Sequence, residues 1–129
     1  VSHSKSKVLR GLHFQKRRPQ GRLVSVLSGE VFDVAIDIRP DSLTYGQWDS
    51  IMLSAENKKQ IWIPPGFAHG FLVTSGSADL VYKCSDYYDP DDEGRILWND
   101  PALSIDWPIR DPILSSLDAS APMLEDLRP

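Results

Sequence analysis

Alternation of apolar and polar residues with a period of two dominates this chain, and no long 3.6-residue period appears before about the last twenty positions. The clearest strand pattern runs from Glu30 to Arg39. There Phe32, Val34, Ile36 and Ile38 share one face, and Asp33, Ala35, Asp37 and Arg39 share the other. Arg22 to Leu27 reads as another strand, tightly connected to the first through Ser28-Gly29. Arg39-Pro40-Asp41-Ser42 forms a turn, followed by a strand around Tyr45 to Leu53. Further strands are expected from Gln60 to Ile63, His69 to Val73 and Ala78 to Cys84, with a fainter pattern from Arg95 to Trp98. Pro64-Pro65-Gly66 and Ser75-Gly76 punctuate them as turns. Short strands at this spacing predict an antiparallel sandwich or barrel. Near the end, Ser120 is placed to N-cap a short helix through Met123, Leu124 and Leu127, with Pro122 in its first turn. The expectation is one all-β domain over residues 1–129 with a short C-terminal helical tail.

Composition narrows the class. A length of 129 residues suits one domain, and 41% hydrophobic with 25% charged residues excludes a disordered or collagen-like chain. The single cysteine, Cys84, cannot form an internal bridge. The longest uncharged apolar stretch, Ile61 to Ala68, is broken by two prolines and a glycine, so no membrane span is predicted. Val1-Ser2-His3-Ser4-Lys5 has no hydrophobic signal core, and a cytoplasmic protein is expected. The net charge of -4 argues against a general nucleic-acid binder. Lys16, Arg17, Arg18 and Arg22 nevertheless form a basic cluster, and Asp86, Asp89, Asp91, Asp92 and Glu93 an acidic one. Both read as solvated loop surface, with the basic one also a candidate for a small anion.

Candidate chemistry centres on two of the three histidines, His13 and His69. A strand histidine is ordinarily a hydrogen-bonded structural residue. Strict alternation puts Arg10 and His13 on opposite faces, unless a bulge at Gly11 re-aims one of them. The segment Pro64-x-Gly66-x-x-His69 resembles the second motif of the cupin barrels, many of which bind a metal through a His-x-His pair and a glutamate. Here Gly11-Leu12-His13-Phe14-Gln15 supplies one histidine and no second one two residues on. A catalytic metal usually needs three protein ligands, so no metal and no cofactor are expected.

Longer blocks resemble a specific family. Val8 to Gln15, Gln20-Gly21-Arg22-Leu23-Val24 and Gly29-Glu30-Val31-Phe32-Asp33-Val34-Ala35 are similar to parts of the dTDP-4-dehydrorhamnose 3,5-epimerases. So are Leu53-Ser54-Ala55-Glu56-Asn57-Lys58, the run Trp62 to Phe71, and Tyr82-Lys83-Cys84-Ser85-Asp86-Tyr87-Tyr88. Ile96 to Pro101 and Ile105-Asp106-Trp107-Pro108 extend the resemblance towards the tail. It implies a cupin-type antiparallel jelly roll, a homodimer, and metal-free epimerisation beside the ketone of a dTDP-4-keto-6-deoxy sugar. By the same resemblance His13 is the base, Asp118 holds its other nitrogen, and Tyr82 delivers a proton to the opposite face. Periodicity alone puts Tyr82 in the core, on one face with Ala78, Leu80 and Cys84. His69 and Arg22 are the implied partners of the enolate oxygen, Arg10 and Glu93 of the diphosphate-sugar, and Tyr88 of the thymine ring.

Two positions depart from the pattern: Arg22 and Leu117 stand where the family usually has lysine. The chain also begins close to the Arg-Gly-Leu-His motif, without the further N-terminal segment that family members carry. Alternatives to inversion at both C3 and C5 are a sibling enzyme inverting one centre and a non-catalytic cupin that binds a sugar nucleotide.

Overall fold

The computed structural model describes residues 2–127. Among the described residues nine strands follow one another: β1 (Ser2–Lys5), β2 (Leu9–Gln15), β3 (Arg22–Ser28), β4 (Glu30–Asp37), β5 (Trp48–Ser54), β6 (Gln60–Ile63), β7 (Phe67–Val73), β8 (Ser77–Cys84) and β9 (Glu93–Arg95). They form a four-stranded sheet, β1-β8-β3-β6, and a five-stranded sheet, β5-β4-β7-β2-β9. Every ladder between these strands is antiparallel, as a jelly roll requires.

Two apolar clusters hold the fold. One lies between the sheets, where Val24, Val26, Ile63, Ala78 and Leu80 meet Val31, Leu53, Phe71 and Val73. The other lies on the outer face of the five-stranded sheet, where Leu12, Val34, Ile36 and Ala68 pack against Ile96, Leu103 and Leu124 of the C-terminal segment. Each fully buried Leu or Ile contributes about 1.5–3 kcal/mol relative to an exposed one. The alternation in β4 therefore has an unexpected sense. Its most apolar face, with Phe32, Val34 and Ile36, turns away from the sandwich to meet the tail, and the face carrying Asp33 and Ala35 turns inward. Polar ties pin the tail in place. Trp48 Nε1 donates to the Leu103 carbonyl at 2.7 Å, and the Leu124 amide donates to Asp100 Oδ2 at 2.8 Å.

The structure corrects several boundaries. Ser120 does not start a helix: it is the C-cap of a single turn, α1 (Ser116–Ala119), whose N-cap is Ser115. Met123 lies outside the short 3-10 turn at Leu124–Leu127. The strand expected from Arg95 to Trp98 is instead Glu93–Arg95: Ile96 still exchanges two backbone hydrogen bonds with Leu12 while its side chain fills the outer cluster, and Leu97 turns away to donate to the Pro122 carbonyl. Tyr45 precedes β5, in a turn closed by hydrogen bonds from Gly46 and Gln47.

β2 and β7 approach very closely. Arg10 pairs with Phe71 and His13 with His69, so Gly11 and Leu12 together oppose Gly70. That bulge places Arg10 and His13 on one face, where strict alternation would separate them. Glycine is required at position 11: φ is +140°, and a Cβ there would lie 2.6 Å from Gly70 Cα.

Candidate active site

The inward face of β2, together with β3, β7, β8 and β9, walls a cleft of about 560 Å³ between the sheets. Arg10, His13, Arg22, His69, Tyr82, Tyr88 and Glu93 all line it. Asp118, the remaining candidate from the sequence, is buried directly behind His13. The chain reaches it because Ile113 pairs with Val8 and exchanges backbone hydrogen bonds with Lys7 and Leu9, which brings α1 against the start of β2.

His13 Nε2 lies 2.6 Å from Asp118 Oδ1. Arg95 Nε donates to the same oxygen at 3.0 Å, and the Gly11 amide donates to Oδ2 at 3.2 Å. Burial pushes the Asp118 carboxyl up, but His13, the Gly11 amide and Arg95 outweigh it and hold the group below the usual carboxylate range. The other ring nitrogen, Nδ1, lies 3.3 Å from Glu93 Oε1. Glu93 Oε2 accepts from the Tyr88 hydroxyl at 2.9 Å. With Nε2–H given to Asp118, Nδ1 is the basic nitrogen on the cleft side.

A second histidine–carboxylate pair sits deeper. His69 Nε2 is 2.8 Å from Asp33 Oδ2, and both side chains are almost wholly buried. The ring of Tyr82 stands edge-on to His69, with centroids 6.2 Å apart. Burial pushes the Tyr82 hydroxyl far above the ordinary phenol range, Asp33 adds to the shift, and Arg22 and Arg10 partly oppose it. Tyr82 therefore remains a protonated donor at neutral pH.

Asp33 and Arg95 are the site residues that sequence reasoning missed. Asp33 carried a signal, as a carboxylate in the middle of a strand filled by Val, Phe, Ala and Ile between its acidic ends Glu30 and Asp37. Arg95 becomes visible once β9 begins at Glu93, because Glu93 and Arg95 then share a face and Arg95 pairs with His13. Leu117 points outward, 61% exposed, and does not line the cleft. Arg22 does line it, with Nη2 3.4 Å from Gln20 Oε1. The basic and acidic clusters fold onto each other. Arg18 bridges Asp86 at 2.6 Å, which matches its charge, and the Arg17 and Arg18 backbone amides donate to Asp92, which pins the two loops together. Among the described residues, no three His, Cys, Asp or Glu side chains converge as a metal site would need.

A family model for dTDP-4-dehydrorhamnose 3,5-epimerase matches residues 1–126. The chain belongs to this family. It is 58% identical over 128 residues to the dTDP-4-dehydrorhamnose 3,5-epimerase of Salmonella typhimurium, covering 96% of this chain and 70% of that protein. It is also similar to the crystal structure of the Legionella pneumophila dTDP-6-deoxy-D-glucose-3,5-epimerase in complex with dTDP-4-keto-L-rhamnose. That match has a TM-score of 0.95 and 56% identity, and covers 98% of this chain and 68% of the other. ChmJ, a 3'-monoepimerase from Streptomyces bikiniensis solved with dTDP-quinovose, shares the fold at a TM-score of 0.91 and 33% identity, over 96% of this chain and 64% of ChmJ.

Proposed function

We propose that this chain carries out the reaction of its family, epimerisation at C3 and C5 of dTDP-4-dehydro-6-deoxy-D-glucose to dTDP-4-dehydro-L-rhamnose. In this reading His13 is the base, Tyr82 the acid and Asp118 the partner of the base. One observation carries it: His13 and Tyr82 face one cleft from opposite sheets, β2 on one side and β8 on the other. A sugar held between them loses a proton from one face and gains one on the other, which is inversion.

The chemistry follows from the groups. C3 and C5 both flank the C4 ketone, so removing either proton leaves an enolate with charge on the C4 oxygen. His13 takes the proton on Nδ1, and Asp118 stabilises the imidazolium through Nε2. A base positioned in this way is worth about 10²–10⁴ in rate. Tyr82 gives its proton to the carbon from the far side, and both groups then recover their starting states through solvent. His69 and Arg22 meet the enolate oxygen. Because Asp33 occupies Nε2 of His69, Nδ1 is the ring nitrogen left to face the enolate oxygen. Arg10 and Glu93 hold the diphosphate-sugar, and the exposed Tyr88 ring at the mouth offers a stacking face to thymine.

A homodimer belongs to the same reading. It is supported by Leu27 and Trp62, both more than half exposed on the outer face of the four-stranded sheet, where no segment among the described residues covers them. Among the described residues, no helix is long and apolar enough to cross a membrane. A cytoplasmic site of action fits a charged, freely diffusing sugar nucleotide as substrate. The test is NMR of the product formed from dTDP-4-dehydro-6-deoxy-D-glucose. Inversion at both C3 and C5 is expected, inversion at one centre would make this a monoepimerase, and bound but unchanged sugar would make it a binding module.

A further inference from the structure

We propose that Arg95 is a positioning residue for the base: its guanidinium, laid between Asp118 and Glu93, keeps the His13 imidazole available in its neutral form. The inference rests on reading His13 as the base. The geometry poses a problem that Arg95 answers. His13 lies between two carboxylates, with Asp118 2.6 Å from Nε2 and Glu93 3.3 Å from Nδ1. Each anion at such range favours the protonated ring, and a ring already protonated cannot remove a proton from carbon. Arg95 reaches both, with Nε 3.0 Å from Asp118 Oδ1 and Nη2 3.5 Å from Glu93 Oε2.

Counting charge makes the effect plain. Two carboxylates and one guanidinium leave a single negative charge around a neutral imidazole. Without the guanidinium two negative charges remain, and the ring is drawn to its protonated state. The planar fork of arginine suits two acceptors on different elements better than a lysine ammonium does. The placement is fixed by the backbone, because Arg95 is the register partner of His13 across β2 and β9. Other ionisable groups line the same cleft: Arg10 from β2, His69 from β7, Arg22 from β3, Tyr82 from β8 and Tyr88 from the loop before β9. Arg10 Nε is tied to the Ser4 hydroxyl and Arg22 leans on Gln20, so Arg95 is the cation bonded to the two carboxylates themselves.

The test combines two readouts on the parent, Arg95→Met and Arg95→Lys: NMR titration of the His13 ring, and the pH profile of kcat/KM. In Arg95→Met the ring should lose its proton about one pH unit higher. The acid limb of kcat/KM should move up by the same amount, giving roughly tenfold less activity on the acid side and a smaller loss on the plateau. Arg95→Lys should recover part of the shift. An unmoved or lowered midpoint in Arg95→Met overturns the proposal, as does a rise in KM with both limbs unchanged, which would make Arg95 a plain substrate contact. A midpoint that moves while the rate limb stays put supports the electrostatic role of Arg95 and overturns His13 as the base. Should Arg95→Met fail to fold, Glu93→Gln probes the same balance. It removes one anion and should lower the ring's midpoint, and a midpoint that stays or rises overturns the proposal.

Discussion

Replacing Asp118 with Asn removes one charge and almost no volume, and the structure specifies the consequence. Three donors converge on this carboxylate: the Nε2–H of His13 and Nε of Arg95 on Oδ1, and the Gly11 amide on Oδ2. An asparagine offers one acceptor oxygen and one NH₂. If its oxygen replaces Oδ1, the NH₂ faces the Gly11 amide and the ring keeps its tautomer, but the imidazolium formed in the reaction loses its counter-charge. If the amide is reversed, the NH₂ faces His13 and forces the proton onto Nδ1, the nitrogen that must act as base. Either arrangement weakens proton removal, and together they predict a fall in kcat of about 10²–10³-fold, equivalent to about 3–4 kcal/mol of transition-state stabilisation. The fold should survive, because the side chain remains hydrogen-bonded and the same size. Initial rates with dTDP-4-dehydro-6-deoxy-D-glucose, with circular dichroism and thermal melting as the folding control, measure both effects. A folded variant with parental kcat would refute the reasoning and leave Asp118 a structural anchor for the tail.

Gly11→Ala should lower stability by about 2–3 kcal/mol and impair catalysis, because its Cβ meets the β7 backbone and its φ is one that alanine resists; an unchanged urea midpoint would contradict this. Asp37 is buried and accepts from Arg39, Ser42 and Thr44, and the Arg39 guanidinium above all holds its carboxyl far below the ordinary carboxylate range. A depressed carboxyl stabilises the fold above its unfolded pKa of about 3.9 and loses that contribution as pH falls towards the folded value. Asp37→Asn should therefore cost about 2 kcal/mol at neutral pH and show a shallower loss of stability on acidification than the parent, with parallel curves refuting the assignment.

Much of the architecture was legible because burial on one face leaves a period-two trace. β6 lies where the pattern placed it, and β3, β4, β7 and β8 differ from expectation by a residue or two at their ends. The tail was illegible for a physical reason. Residues 96–127 form little regular structure and are held by scattered contacts to the outer face of the five-stranded sheet, so no period marks them. The same hidden cover explains why the apolar face of β4 points outward. Within the site, His13 and His69 stood out by residue type, whereas periodicity assigned Tyr82 to the core and only the family resemblance drew it in; the sharing of one face by Arg10 and His13 depended on a bulge that alternation cannot specify. Asp118 came from family resemblance alone, since no local pattern links a residue of α1 to one 105 positions earlier. Arg95 escaped because the boundary of β9 was set two residues late.

Deuterium exchange tests the central claim most directly. The parent, His13→Asn and Tyr82→Phe are each incubated with dTDP-4-dehydro-6-deoxy-D-glucose in D₂O, and C3 and C5 are followed by NMR. The parent should incorporate deuterium at both carbons and invert both. His13→Asn should incorporate none, because no base remains in the cleft. Tyr82→Phe should still exchange, returning a solvent-derived deuteron from the His13 side, while inverted product falls sharply. Equal loss of exchange in the two variants, or exchange that persists without His13, would contradict a base and an acid acting from opposite walls.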